Sequence, residues 1–98
     1  GLEEGADPLR VIYEVILKEG YSLNARIELL DLDSNQVYRV TEAEDEGRFF
    51  YICLDDAIQD VALDALNLNK ESVLICLDTA LDDSQKVNLS MQCLLKVI

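Results

Sequence analysis

The chain has 98 residues, half of them apolar, with four Gly and one Pro, which fits one small globular domain and excludes a disordered chain. Twenty acids against eight bases, with no His, give a net charge of -12, a poor balance for contact with nucleic acid, whose phosphates are neutralised by cations. There is no membrane-length apolar run and no basic, apolar signal region at the N-terminus.

Residues 1–6 are short, acidic and glycine-containing, and read as a loose lead into a single small α/β domain over 7–98. The absent starting Met and the apolar C-terminal end suggest a piece of something larger. Asp7-Pro8 opens a helix, with Asp as cap and Pro at the first helical position. Leu9, Ile12, Tyr13 and Ile16, supported by Val11 and Val15, recur at helical spacing. Lys18 suits the last turn, and Gly20 suits a left-handed stop.

A strand is expected near Arg26–Asp31. The turn cluster Asp33-Ser34-Asn35 then leads into Gln36–Thr41, which should pair back as a hairpin. Glu42–Gly47 is a second, acidic turn. Arg48–Leu54 returns as a third strand, antiparallel to the second and more central.

A repeated phrase organises the rest. Phe50-Tyr51-Ile52-Cys53-Leu54-Asp55 is echoed by Val73-Leu74-Ile75-Cys76-Leu77-Asp78. Each is a continuous apolar run that reads as a strand buried on both faces and stops at an aspartate. Between them, Asp56–Leu66 reads as an amphipathic crossover helix with Ile58, Val61, Ala62, Ala65 and Leu66 on its apolar face. Asp55 or Asp56 can cap it, and Asn67-Leu68-Asn69-Lys70 ends it. Strand, helix and strand form a parallel unit, right-handed by default, with the fourth strand at Ser72–Leu77.

Residues 84–98 carry two patterns. Val87, Leu89, Met91 and Cys93 alternate as in a strand, whereas Val87, Met91, Leu94, Leu95 and Ile98 make a helical stripe. Asp82, Asp83 and Ser84 can cap a helix, so helix is the favoured expectation. The architecture expected is therefore a small mixed sheet with helices packed on it: helix, hairpin, third strand, β-α-β crossover and C-terminal helix.

Without His, no Ser-His-Asp or Cys-His site and no imidazole metal site can form. No Gly-rich phosphate loop is present. Cys53, Cys76 and Cys93 are an odd set without a close pair, which fits a reducing, cytoplasmic compartment; Cys53 and Cys76 fall inside expected buried strands, and Cys93 is the candidate for a reactive thiol, with no His or cluster of bases nearby to activate it. Catalytic and cofactor-binding residues are expected to be absent. One alternative is a weak Mg²⁺ or Ca²⁺ site at Asp55 and Asp78, since parallel strands bring their carboxyl ends to one edge. Helix capping and loop solubility explain the same aspartates, together with Asp56, Asp82 and Asp83.

Read whole, the order of segments resembles one family. Asp7-Pro8-Leu9-Arg10-Val11-Ile12-Tyr13-Glu14-Val15-Ile16-Leu17-Lys18-Glu19-Gly20-Tyr21-Ser22-Leu23 looks like the "DPL…LLxEILLKxGxxL" stretch of the adenine-specific DNA methyltransferase (Mod) subunits of type III restriction–modification systems. Val37-Tyr38-Arg39-Val40 is similar to that family's "VYxV" strand, Tyr51-Ile52-Cys53-Leu54 to "xxxICL", and Leu74-Ile75-Cys76-Leu77-Asp78 to "VICLD". Asp83, Lys86 and Asn88 match a closing "DxxKxNxxxxxK" element. The resemblance spans most of residues 7–96 in order.

It implies a parent enzyme that transfers a methyl group from S-adenosylmethionine to adenine N6 in a short DNA site. That chemistry needs a "DPPY" tetrapeptide and a Gly-containing cofactor motif, and neither occurs here, since the one proline is Pro8. By resemblance the chain is a non-catalytic C-terminal domain. Its implied partners are the rest of the methyltransferase and a restriction subunit, with DNA met through the parent. The rival reading is a free-standing acidic module that binds a basic partner. A cation-dependent enzyme or receiver-like switch is a third, lacking the lysine and chain length such switches need.

Overall fold

The computed structural model describes residues 7–98; the lead at 1–6 lies outside the described residues. Helix α1 spans Pro8–Lys18, followed by strands β1 (Arg26–Asp31), β2 (Gln36–Glu42) and β3 (Asp45–Cys53). Then come α2 (Asp60–Ala65), β4 (Val73–Cys76), a single 3₁₀ turn at Asp78–Ala80, α3 (Asp83–Gln92) and β5 (Leu94–Val97). The five strands lie in sequence order, antiparallel through β1-β2-β3 and parallel through β3-β4-β5. This is the mixed sheet expected from the sequence.

Helix α1 begins as its sequence dictates. Asp7 accepts from the Leu9 N–H at 3.0 Å, and Pro8 takes the position where a missing N–H costs nothing. Its end is a Schellman motif: Gly20 adopts φ +79°, with Tyr21 N donating to Ile16 O and Gly20 N to Leu17 O.

The helices divide between the two faces of the sheet. Ile12, Val15 and Ile16 of α1 pack on Val40, Phe50, Ile52 and Ile75. On the other face, α2 and α3 cover Val37, Tyr51, Cys53, Leu74 and Cys76 with Ala62, Leu63 and Leu89. Side chains alternate along a strand, so the doubled phrase supplies both cores at once. Ile52 and Ile75 are register partners under α1, and Cys53 and Cys76 are partners under α2 and α3.

Several expectations need correction. The crossover helix begins at Asp60 rather than Asp56, because residues 55–59 are tied down as a loop. Its cap is Gln59, so neither Asp55 nor Asp56 caps it. Its buried face is also turned, with Leu63 inside while Val61 is 65% exposed and Ala65 is exposed. Finally, residues 84–98 are neither all helix nor all strand. A capping box at Asp82 and Gln85 starts α3, which stops at Cys93 so that Leu94–Val97 can pair with β4. Only Leu89 of α3 is buried, and Val87 and Met91 of the expected stripe are exposed.

Candidate functional site

The parallel register Cys53↔Cys76 sends Asp55 and Asp78 out of the same end of the sheet, as the repeat implies. Their carboxylates have different partners there. Asp55 Oδ2 accepts from Asn35 Nδ2 at 2.8 Å and from Gln36 N at 3.1 Å. Asp78 Oδ1 meets Lys86 Nζ at 2.8 Å, and this bond raises the lysine pKa. Asp82 caps α3 by accepting from Gln85 N at 2.8 Å, and Asp83 lies in the first turn of the same helix. Asp33, Asp55 and Asp56 border an open depression of ≈ 480 Å³. Among the described residues, no group of three or more acids and cysteines converges as metal ligation requires.

The residue that organises this end is Asn35, read from the sequence only as part of a turn. It is 3% exposed. Its Nδ2 donates to Asp55 and, at 2.7 Å, to Ala57 O, while its Oδ1 accepts from Gln59 N at 2.9 Å. One amide thus locks the β1–β2 turn to the β3–α2 loop. No local signal announces it, because its partners lie 20 to 24 positions away.

The thiols are placed for packing. Burial pushes Cys53 up from 9.0 to about 12 and Cys76 to about 11, and raises Cys93 as well. A neutral thiol is a weak nucleophile, so this trio offers no reactive centre near neutral pH.

Five cations, Arg26, Arg39, Arg48, Lys86 and Lys96, lie against acids. Arg39 and Arg26 both meet Glu28, whose carboxyl is held below its usual range by hydrogen bonds from Arg26 and then Arg39. Arg48 stacks 4.2 Å over the Tyr21 ring and approaches Glu42 at 3.5 Å. Glu42 is itself held low, chiefly by the Ser22 hydroxyl at 2.7 Å. A depression of ≈ 310 Å³ lies between Arg48 and Lys96 at the opposite end of the sheet. Both of its cations have carboxylate partners, Glu42 and Glu19.

The arrangement therefore supplies a braced scaffold. Asp55 and Asp78 are brought to one edge and are held there by Asn35 and Lys86 respectively. No helix among the described residues is long and apolar enough to cross a membrane. Comparison of the chain with known protein families, characterised proteins and solved structures found no match.

Proposed function

We propose that this chain is a non-catalytic C-terminal domain of a site-specific adenine-N6 DNA methyltransferase of a type III-like restriction–modification system. Its work is subunit contact or support of the DNA-recognition region, in the cytoplasm. The observation that carries the reading is the ordered set of resembling segments. They fall in chain order on the capped α1, inside β2, at the end of β3, on β4 with the turn after it, and at the start of α3. Surface charge supports a supporting rather than a DNA-reading role, since Arg26, Arg39 and Arg48 all face carboxylates of this same chain. S-adenosylmethionine and DNA belong to the parent, and neither is assigned a residue here.

Calorimetric titration of the isolated chain with S-adenosylmethionine tests the non-catalytic part, with no saturable heat expected. A duplex-DNA band shift in ~150 mM salt tests the other part, with none expected at low micromolar protein. Saturable cofactor binding, or a shifted band, contradicts the assignment.

A further inference from the structure

We infer that the free edge of β5 is where two copies of this chain pair, strand against strand, around a two-fold axis. The inference stands on strand geometry and charge placement, and it holds with or without a methyltransferase parent.

The two edges of the sheet are built differently. β1 places Arg26, Glu28 and Asp31 among its six residues, the charged blunting by which proteins keep edge strands from pairing. β5 reads Leu94-Leu95-Lys96-Val97. It is the last strand among the described residues. Leu94 N bonds to Ser72 O and Ile98 N to Cys76 O, each at 2.9 Å, so even-numbered residues face β4. By alternation, the N–H and C=O groups of Leu95 and Val97 point away from the sheet. Leu94, Val97 and Ile98 flank them at 51%, 45% and 45% exposure. A row of outward backbone groups among exposed apolar side chains is the surface that another strand completes.

Charge selects the occupant. All 20 acids lie in residues 1–83, and residues 84–98 hold no Asp or Glu and two Lys. Two chains of net charge -12 repel over most of their surface. They can meet at β5 without bringing carboxylates of that segment together. Pairing β5 with the β1 edge of the next copy would build an open filament onto a charged strand, whereas β5 with β5 closes after two copies. With the axis at Lys96, Leu95 of one copy exchanges both backbone bonds with Val97 of the second. The two Lys96 ammonium groups then face each other, each held by its own Glu19 at 2.6 Å.

Sedimentation equilibrium of the whole chain in ~150 mM salt, from about 5 to about 500 µM, should give a monomer–dimer equilibrium in the micromolar range. Val97→Pro deletes an outward N–H and leaves the β4 bonds in place, so it should give a monomer with an unchanged far-UV spectrum. Hydrogen exchange on the unaltered chain supplies the second measurement if that variant misfolds. The Leu95 and Val97 amides should be protected at high concentration and exposed on dilution. A chain that stays monomeric throughout, or one that dimerises while those two amides exchange at a rate independent of concentration, overturns the inference. So does a folded Val97→Pro chain that still dimerises.

Discussion

Lys96 Nζ, in the last strand, donates a 2.6 Å bond to Glu19 Oε1, at the residue that closes the first helix. The two lie 77 positions apart. A carboxylate at a helix C-terminus opposes the helix dipole, so the lysine offsets a local disadvantage while tying β5 to α1. The Glu19 side chain is 15% exposed, which limits solvent screening.

That bond predicts a measurable coupling. In a double-mutant cycle of Glu19→Gln and Lys96→Met, urea unfolding should return a coupling of about 1 kcal/mol. Additivity within error would show that the contact contributes nothing to stability.

Asn35 should be costlier to lose. Asn35→Ala removes the side-chain partner of the Ala57 carbonyl, of the Gln59 N–H and of Asp55 from a site where Asn35 itself is buried, so it should destabilise by about 1–3 kcal/mol. Asn35→Asp sets a second carboxylate against Asp55 and should be the worse of the two at pH 7, because like charges then meet where an amide had donated. Equal destabilisation by Asp and Ala in urea unfolding at pH 7 would contradict this wiring.

The doubled phrase predicts the largest losses. Ile52 and Ile75 are 0% and 1% exposed and sit side by side under α1. Ile→Ala at either should cost about 2–5 kcal/mol, and a domain of this size holds about 5–10 in all. Thermal melts read this directly, and a loss under 1 kcal/mol at both sites would contradict the shared core.

The thiols set an alkaline limit. Below pH 9 they are protonated in the folded and unfolded chain alike. Above it the unfolded chain releases protons that folded Cys53 and Cys76 keep, until about 12 and about 11. Stability should therefore fall as pH rises through that window. Urea midpoints measured from pH 8 to pH 11 check this, and the Cys53→Ala/Cys76→Ala double variant should flatten the slope.

Much of the fold was legible because local chemistry and tertiary demand agree. Asp7-Pro8 and Gly20 bound α1, the alternation of Gln36–Thr41 set β2, and the two apolar runs set β3 and β4. Reading failed where a distant partner decides. The Asp55 carboxylate looks like a helix cap in sequence, yet Asn35 holds it and delays α2 by a turn. β5 was hidden because its four residues are too few to show a period, and only the open edge of β4 makes them a strand. At the candidate site, the repeat predicted that Asp55 and Asp78 share an edge, but Lys86 and Asn35 as their partners were not readable from spacing.

The claim that this is a non-catalytic domain of an adenine methyltransferase is tested most directly upstream of Gly1. Sequencing the encoding reading frame should reveal an Asp-Pro-Pro-Tyr tetrapeptide and a Gly-containing cofactor motif, joined in frame to this domain. A frame that carries neither would contradict the account and favour a free-standing acidic module.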